Sequence, residues 1–398
     1  MDFSFADRVQ GLNPSAIREI LKYAADPEVV SLSAGNPAPE AFPVKAVAEI
    51  TARVLAEHPV DALQYSLTEG YSALRERLKN YMKAKHNVGR DTDAILITSG
   101  AQQAMGLVAK VMCNPGDVVV CEAPSFVGSL TSFRSLGSRL IGISMEEDGM
   151  DLVQLENVLH AHPQTKLIYT IPNFQNPSGI TMSMEKRRAM HQLAYQYGVL
   201  IVEDNPYGDL RFEGEHVPAI KSLDETGNVM YVGSFSKVLS PGMRVGYAIG
   251  PKALLQKMVV CKQGEDVHTN ILAQIICDEF MEKYPYEEHL DHLRDIYRHK
   301  AKLMISLIEK HLVPAGITYH PIQGGLFVWC ELPDGADMQE FCRQAVRDHK
   351  VAVVPGNAFM ADETTHTQAF RLNFSTPTDE AMQIGMARLG RFAADFLK

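Results

Sequence analysis

The sequence has little of what marks membrane, secreted or nucleic-acid-binding proteins. No apolar run approaches the roughly 20 residues that a membrane-spanning helix needs, and the first residues lack the basic-then-apolar order of a secretion signal. A formal net charge of -10 gives no broad positive surface for nucleic acid or an anionic membrane. These absences predict a cytoplasmic protein that binds neither, while a local basic pocket for one small anion stays compatible with them.

Paired cysteines are also missing. The six cysteines are scattered along 398 residues and form no C-x-x-C motif. This is typical of buried small apolar side chains in a reducing compartment, not of disulfides or a zinc site. The sequence also shows no repeat, low-complexity tract or long linker. We therefore expect one integrated enzyme without a metal site.

What the sequence does contain, up to about residue 283, is short apolar runs that alternate with longer amphipathic stretches. This pattern is typical of a parallel sheet flanked by helices, and runs that are apolar throughout suit strands buried on both faces. The predicted strands are residues 94–98, 118–122, 167–171, 199–203, 230–232 and 245–249. Helices are predicted between them, for example at residues 102–112 and Met184–Tyr197.

The pattern changes beyond about Tyr284. A long charged helix is predicted over Tyr286–His311. Strand-like stretches at residues 325–331, 351–354 and 369–374 and a final helix at residues 379–397 follow it.

Together these patterns predict three parts. Residues 1–43 form an N-terminal segment, residues 44–283 a large α/β domain and residues 284–398 a smaller α+β domain. The length of the chain, which exceeds that of one typical domain, agrees with this division.

Lys237 stands just past an apolar strand, in the run Ser234-Phe235-Ser236-Lys237. A buried lysine is costly unless it pairs or reacts, and its amine can condense with an aldehyde to give a more electrophilic imine. Ser234, Ser236 and Arg244 could hold a phosphate dianion, because arginine offers a forked, permanently charged donor. Taken alone, the run also fits a surface lysine in a Ser/Gly loop.

Two other strand ends carry polar groups of matching chemistry. Gly100, Ala101 and Gln102 follow one strand and open a helix, where free backbone N–H groups form an anion site. Asp204 ends another strand, at the edge where open parallel sheets bind ligands, and its carboxylate could keep a pyridine nitrogen protonated. An ordinary β-to-α turn and a capping aspartate are the alternatives.

A fourth strand end leads to Asn176-Pro177, which also fits a plain turn. Asn176 and Tyr207 could donate to a phenolate oxygen from two sides. Four separate strand ends thus supply a lysine, a phosphate cradle, an acid and an Asn/Tyr pair, which favours one common site.

With these motifs the sequence resembles the fold-type I aminotransferases, and specifically the class I/II subgroup that includes 2-aminoadipate and kynurenine aminotransferase-like enzymes. The resemblance covers essentially the whole chain. It implies an aspartate aminotransferase-like α/β fold, with a large domain built on a mostly parallel seven-stranded sheet flanked by helices and a smaller α+β domain. The motifs that carry it are Ser-Phe-Ser-Lys at 234–237 with Arg244, Asn176-Pro177-x-Gly179, Asp204-x-x-Tyr207, and Gln64-Tyr65 followed by Thr68-x-Gly70 and Leu74-Arg75.

The resemblance implies pyridoxal 5′-phosphate (PLP) as the cofactor, bound as a Schiff base by Lys237, which then moves the proton. Asp204 is expected to pair with the pyridinium nitrogen, while Asn176 and Tyr207 hold the ring oxygen. Phe126, where relatives often have a tyrosine, is expected to stack on the ring. The residues expected at the phosphate are Ser234, Ser236, Arg244 and the backbone of Gly100, Ala101 and Gln102.

For the substrate, the resemblance implies that Arg371 clamps the α-carboxylate as a bidentate pair, near Gly35 and Asn176. An arginine on an apolar strand is hard to explain by packing, because burial without a partner is costly. Tyr65 is expected to reach the phosphate of the neighbouring subunit, which implies a homodimer with shared active sites. From the residues alone, Tyr65 also fits a core aromatic.

Ser15 and Arg18 lie in a stretch that resembles the mobile, substrate-covering helix of the aminoadipate enzymes. There Arg18 would contact the acidic side chain of a substrate. Alternatively, it would be a solvated helix residue paired with a nearby acidic residue of the protein. The resemblance implies ping-pong transfer of an amino group from an aminoadipate, aromatic or aliphatic donor to a 2-oxo acid such as 2-oxoglutarate.

Two other functions remain open on the same residues. One is a PLP-dependent C–S β-lyase, because PLP stabilises the same carbanion in both reactions. The other is a non-catalytic PLP sensor, as in the GntR-type regulators that carry an aminotransferase-like domain. The chain begins almost directly with the aminotransferase-like part, so no winged helix is expected before it.

Overall fold

The computed structural model describes residues 3–10 and 26–398. Its strands are β1 (Val30–Ser31), β2 (Asp93–Thr98), β3 (Val118–Ala123), β4 (Arg139–Glu146), β5 (Gly149–Met150), β6 (Thr165–Thr170), β7 (Leu200–Asp204), β8 (Val229–Ser234), β9 (Gly246–Pro251), β10 (Thr318–Tyr319), β11 (Phe327–Glu331), β12 (Val351–Ala352), β13 (Val354–Pro355) and β14 (Ala369–Asn373). The helices are α1 (Asp7–Gln10), α2 (Val44–Glu57), α3 (Pro59–Leu63), α4 (Ser72–His86), α5 (Ala101–Met112), α6 (Val127–Ser135), α7 (Leu152–Ala161), α8 (Met184–Tyr197), α9 (Lys252–Gln263), α10 (Ile271–Lys283), α11 (Tyr286–His311), α12 (Met338–Arg347) and α13 (Asp379–Phe396).

The large sheet runs in the order β2-β9-β8-β7-β6-β3-β4-β5. From β8 to β4 the neighbouring strands are parallel, and β9 is antiparallel to both β2 and β8. Strands β3, β6 and β7 are buried along nearly their whole length, in agreement with their unbroken apolar runs. All six predicted strands of this sheet are confirmed, with ends shifted by a residue or two.

The expected count of seven strands needs a correction, because in the described residues the sheet has eight. After β4 the chain turns back as the two-residue β5, whose Met150 and Gly149 pair with Met145 and Glu146. This short return was not foreseen, because two residues carry no periodicity of their own.

A smaller antiparallel sheet follows in the order β10-β11-β14-β13. Residues 351–354 do not form the single strand that their apolar run predicted. They divide into β12, which pairs with β1 near the start of the chain, and β13, which pairs with β14. Through the first pairing, residues 30–36 come to lie beside the small sheet.

Side-chain caps fix several of the helix starts. Asp151, Ser183, Asn270, Asp337 and Thr378 each accept hydrogen bonds from backbone N–H groups in the first turn of the helix that follows. The predicted long helix at Tyr286–His311 is confirmed at both ends, and the final helix ends at Phe396, one residue before its predicted end.

The large sheet lies within residues 93–251 and the smaller one within residues 318–373. The division of the chain at residues 43/44 and 283/284 stays a prediction. Among the residues that the structure describes, no helix is both long and apolar enough to cross a membrane.

Candidate active site

A cavity of about 390 Å³ lies at the carboxyl edge of the large sheet, facing the small one. The strand directions place the ends of β2, β3, β6, β7 and β8 at this edge, as the sequence patterns required. Its walls also include residues 33–36 and two small-sheet residues, Phe327 and Arg371. The site residues predicted from the sequence that line it are Gly35, Ala101, Gln102, Phe126, Asn176, Asp204, Tyr207, Ser234, Ser236, Lys237, Arg244 and Arg371.

Lys237 follows β8 and points its amine into this cavity. Its Nζ donates to the backbone oxygen of Gly35 at 2.7 Å. Burial, together with the positive charges of Arg371 and Arg244, lowers the pKa of Lys237 to about 8. About a tenth of this amine is therefore neutral, and so nucleophilic, at pH 7, far more than for a lysine with an ordinary pKa.

Asp204 ends β7 and is buried. Its Oδ2 accepts from the hydroxyl of Tyr169 at 2.8 Å, whereas its Oδ1 is buried without a hydrogen-bond partner. Burial raises the pKa of Asp204 to about 7, although the Tyr169 hydroxyl acts in the opposite direction. A buried carboxylate with one free oxygen is suited to a cationic N–H group that enters the cavity.

Two hydrogen bonds connect three side chains of the cavity wall, those of Arg371, Asn176 and Tyr207. Arg371 Nη1 donates to Asn176 Oδ1 at 2.8 Å, and Asn176 Nδ2 donates to the Tyr207 hydroxyl at 3.4 Å. Arg371 lies on β14, between Trp329 of β11 and Val354 of β13. The antiparallel ladder thus holds the base of the arginine side chain rigidly.

The guanidinium of Arg371 has no carboxylate partner among the described residues. It lies over the ring of Phe327 at 4.1 Å and that of Phe359 at 4.9 Å, and its Nε is buried without an acceptor. Burial lowers the pKa of Arg371 to about 10, so the group remains charged at neutral pH. A buried cation with unused donors is a receptor for an anionic ligand such as a carboxylate.

The candidate phosphate cradle lies at the start of α5. Ser234 Oγ donates to Ser236 Oγ at 2.9 Å, and Arg244 Nη2 reaches the backbone oxygen of Ser99 at 3.3 Å. Gly100 has φ +75°, and a Cβ atom there would lie 2.2 Å from Arg244 Nη2. A residue without a side chain is therefore required for the arginine to lie over the helix start.

Phe126 and Gln102 complete this side of the cavity. Phe126 precedes α6, and its ring lies where a Cβ atom on Gly128 would come within 2.7 Å. The side chain of Gln102 donates to Gly128 O at 2.7 Å and to Ser132 Oγ at 2.5 Å. Because its side chain turns toward α6, only the backbone N–H of Gln102 is available for an anion.

Of the predicted site residues that the structure describes, Tyr65 and Gly100 do not line the cavity, although Gly100 lies directly against Arg244, which does. Tyr65 is 81% exposed and makes an edge contact with the ring of His268, at 5.9 Å between centroids. A core role for Tyr65 is thereby excluded in the single chain. Ser15 and Arg18 lie outside the described residues.

Sequence reasoning missed three contributors. Tyr169 holds Asp204, and Phe327 lies under Arg371. Glu122, at the end of β3, is fully buried, and burial raises its pKa to about 7 despite hydrogen bonds from Thr170, Gln175 and Ile171. An acid that ends an apolar run was a signal for Glu122, as it was for Asp204, whereas nothing in the sequence distinguishes Tyr169 or Phe327.

Comparisons with known proteins agree with this geometry. The sequence profile of the family "Aminotransferase class I and II" matches residues 27–389. The chain belongs to this aminotransferase family. It is 40% identical over 389 residues to a 2-aminoadipate transaminase of Thermus thermophilus, with 97% of this chain and 94% of the relative covered. It is 37% identical over 398 residues to aromatic-amino-acid aminotransferase 1 of Thermococcus litoralis, with 99% and 95% covered.

The structure of the aminotransferase superposes on that of an α-aminoadipate aminotransferase of Thermus thermophilus, which was solved with N-(5′-phosphopyridoxyl)-L-leucine. The TM-score is 0.89 at 37% identity, and the alignment covers 99% of this chain and 97% of that one. The predicted fold class is thereby confirmed, and so are PLP as the cofactor and transamination as the reaction class. The β-lyase and the non-catalytic sensor are not favoured.

The residues present fit PLP on structural grounds of their own. The orphaned Oδ1 of Asp204 has the burial and charge to accept from a pyridinium N–H. The side-chain-free turn at Gly100, beneath Arg244, has the shape and charge to accept a phosphate. Lys237 lies in the same cavity as both groups.

Proposed function

We propose that the aminotransferase carries out ping-pong transamination in this cavity, with Lys237, Asp204 and Tyr207 as catalytic residues. The observation that carries the proposal is the orphaned Oδ1 of Asp204, which lies in one cavity with the amine of Lys237 and the guanidinium of Arg371. The acceptors of this guanidinium among the described residues are the neutral oxygens of Asn176 and Ser33. Bound PLP supplies an electron sink that stabilises negative charge at the substrate Cα. The protein supplies attachment, orientation and proton transfer.

Asp204 would hold the pyridine nitrogen protonated through Oδ1, while the Tyr169 hydroxyl keeps Oδ2 in place. Asn176 and Tyr207 would donate to the ring oxygen, and Phe126 would cover one face of the ring. Ser234, Ser236, Arg244 and the backbone N–H groups of Gly100, Ala101 and Gln102 would bind the phosphate.

Arg371 would bind the substrate α-carboxylate, because its guanidinium is charged, buried and short of acceptors. The backbone oxygen of Gly35, which accepts from Lys237 in the structure, would lie beside the substrate. Because its pKa is lowered, part of the Lys237 amine would be unprotonated near neutral pH and so able to take up the proton from the substrate Cα and give it back.

We infer a broad choice of amino donor, with 2-oxoglutarate as an acceptor. The relatives named above act on aromatic amino acids and on 2-aminoadipate, and within the part of the chain that the structure describes the cations that line the cavity are Lys237, Arg244 and Arg371. Each of these already has a role with every donor: Lys237 would attach the cofactor, Arg244 would bind its phosphate and Arg371 would bind the α-carboxylate. A second carboxylate, as in aminoadipate or 2-oxoglutarate, therefore needs a further cation, and Arg18 is the candidate that the sequence offers.

We also infer a homodimer with shared sites in the cytoplasm. Tyr65 is exposed, and so are the apolar side chains of Val60, Leu63 and Leu67 close to it in sequence; several large exposed apolar residues in one segment are typical of an interface between subunits. All six cysteines are unpaired, which suits a reducing compartment. In the dimer, Tyr65 would complete the phosphate site of the other subunit.

Spectroscopy tests the half-reaction directly. Purified protein loaded with PLP should show the visible absorbance of the lysine-bound cofactor, and an amino acid added without any oxo acid should convert it to the pyridoxamine form. Lys237→Ala should lose both the visible band and multiple turnover. A band that no amino acid shifts, or normal turnover in Lys237→Ala, would contradict the proposal.

A pair of arginine variants tests the substrate assignment. Arg371→Gln should lower kcat/KM for all amino donors by roughly a hundredfold, because every donor loses its α-carboxylate partner. Arg18→Gln should lower kcat/KM for 2-aminoadipate by roughly tenfold and leave leucine and phenylalanine unchanged. Equal effects of Arg18→Gln on acidic and apolar donors would remove Arg18 from the substrate site.

A further inference from the structure

Glu122 lies outside the cavity and has no task in the chemistry above. Its carboxylate is fully buried at the carboxyl end of β3 and is surrounded by donors. Oε1 accepts from the Thr170 hydroxyl at 2.5 Å and from the backbone N–H of Ile171 at 3.1 Å, and Oε2 accepts from Gln175 Nε2 at 2.9 Å. A buried acid so closely satisfied holds its neighbours in one arrangement.

Gln175 uses its side-chain amide completely. Its Nε2 donates to Glu122 Oε2 and, at 2.7 Å, to the backbone oxygen of Pro124. Its Oε1 accepts from Ser178 twice, from the backbone N–H at 2.9 Å and from the hydroxyl at 2.7 Å. Because the two ends of an amide differ, these four bonds permit only one orientation of the side chain.

This orientation bears on the cavity through the neighbours of Gln175. The next residue, Asn176, accepts from Arg371 and donates to Tyr207. Pro124, whose backbone oxygen receives the other amide hydrogen, lies two residues before Phe126. The amide of Gln175 thus ties the turn that presents Asn176 to the segment that presents the ring of Phe126.

We propose that Glu122 and Gln175 form a positioning pair that fixes Asn176, and through it the donor directions of Arg371 and Tyr207. The pair touches neither substrate nor cofactor. Its role rests on the proposed placement of PLP and of the substrate carboxylate, and it adds a determinant of substrate binding that lies one layer behind the cavity wall.

The test compares two variants that each remove one donor to the same carboxylate. Gln175→Met removes the side-chain hydrogen bonds of the residue that directly precedes Asn176. Thr170→Val removes only the hydrogen bond to the other carboxylate oxygen, Oε1 of Glu122, and leaves every bond of Gln175 in place. Both variants should melt at lower temperature, because each leaves Glu122 with one donor fewer. Only Gln175→Met should raise KM for amino donors and lower kcat/KM, by about tenfold to a hundredfold, since small misplacements of binding groups cost this much.

Glu122→Gln supplies the conservative variant. Its amide oxygen, in the place of Oε2, can still accept from Gln175 Nε2 and from the backbone N–H of Ile171, which lies 3.2 Å from Oε2, while its NH₂ group can donate to the Thr170 hydroxyl. The value of kcat/KM should therefore stay within about threefold of the wild type. An equally large loss in Glu122→Gln would mean that the charge of Glu122 acts on the reaction directly, and it would overturn the positioning role. If Gln175→Met does not fold, Gln175→Asn makes the same comparison, because its side chain is one methylene shorter and its amide does not reach Glu122.

Two readouts do not depend on turnover. The affinity of the apoprotein for PLP should fall in Gln175→Met and not in Thr170→Val, and a crystal structure of Gln175→Met should show Asn176 Oδ1 turned away from Arg371 Nη1. Wild-type protein that fails to bind PLP or to complete the half-reaction would refute the proposed function. Normal wild-type behaviour with equal effects of Gln175→Met and Thr170→Val would refute the positioning pair alone.

Discussion

Single side chains in this aminotransferase are held in states that folding alone does not favour. Asp204 is buried with one oxygen unsatisfied, and Arg371 is buried with an unused Nε. Such groups raise the free energy of the empty protein until a ligand of opposite charge arrives. Their presence in one cavity is what makes the geometry informative about function.

Asp204 gives a pH-dependent prediction. Its folded-state pKa of about 7 lies above its ordinary value of 3.8, so the folded apoprotein binds more protons and loses stability as pH rises between these values. Asp204→Asn removes the charge. The free energy of unfolding of the Asp204→Asn apoprotein, taken relative to that of the wild-type apoprotein, should therefore increase by roughly 2 kcal/mol from about pH 5 to about pH 8.

Thermal unfolding of both apoproteins at the two pH values measures this difference. Burial, and in part the charge of Asp204, also raises the pKa of Glu122, so the same comparison made in a Glu122→Gln background isolates the contribution of Asp204. An advantage that does not change with pH would show that Asp204 is not strained in the empty site. PLP-loaded Asp204→Asn should be nearly inactive, because the pyridine nitrogen loses its anionic partner.

Single site residues could be predicted from the sequence where the residue type is unusual for its position, and could not where the residue type is common there. Lys237, Asp204 and Arg371 could be singled out because a charged residue at the end of an apolar strand, or within one, needs an explanation. Tyr169 and Phe327 could not, since an aromatic residue in a strand is ordinary and only the fold brings these two to Asp204 and Arg371.

Among the structural elements, the turn between β2 and α5 gives the sharpest prediction. Gly100 has φ +75° and ψ 167°, a region nearly closed to other residues, and Arg244 lies where its side chain would be. Gly100→Ala should therefore lower the melting temperature and also weaken PLP binding by at least about tenfold, through displacement of Arg244.

Gly116→Ala is the matched control for this turn. Gly116 also has a positive φ, +89°, but no atom lies within 4 Å of the Cβ that alanine would add. It should lose stability through backbone strain alone and keep the PLP affinity of the wild type. Equal loss of PLP affinity in the two variants would mean that Arg244 is not held by the space at Gly100.

Elements with a strong period were predictable, and short or half-exposed ones were not. Both predicted ends of the helix at Tyr286–His311 are confirmed, because its apolar residues recur with the helical period over many turns. Strand β4, Arg139–Glu146, was missed because only one of its residues is buried, so its sequence does not read as a continuous apolar run. The split of residues 351–354 between two sheets depends on β1, a partner far away in sequence.

For the whole molecule, shared sites predict complementation between subunits. Tyr65→Ala and Lys237→Ala homodimers should each have little activity. Mixed after unfolding and refolding, they should regain up to about a quarter of wild-type activity, because half of the random dimers contain one site with both residues intact. Activity measured against the mixing ratio should peak at equal amounts.

A double variant that carries both substitutions in one chain is the control. Mixed and refolded with an equal amount of wild-type protein, it forms heterodimers in which neither site has both residues, so activity should fall to about a quarter of that of the same total amount of wild-type protein. No recovery in the mixture of single variants, with dimers demonstrated by sedimentation, would place Tyr65 outside the partner's site.

The unsatisfied oxygen of Asp204 also has a consequence for the life of the protein in a cell. A ligand that binds only the folded state stabilises it by mass action, by about 2.7 kcal/mol when its free concentration is a hundred times the dissociation constant. Because the apoprotein buries a carboxyl group with one oxygen unsatisfied, it should unfold and be degraded faster than the loaded enzyme. The amount of enzyme in the cell should then follow the supply of PLP, even at a constant rate of synthesis.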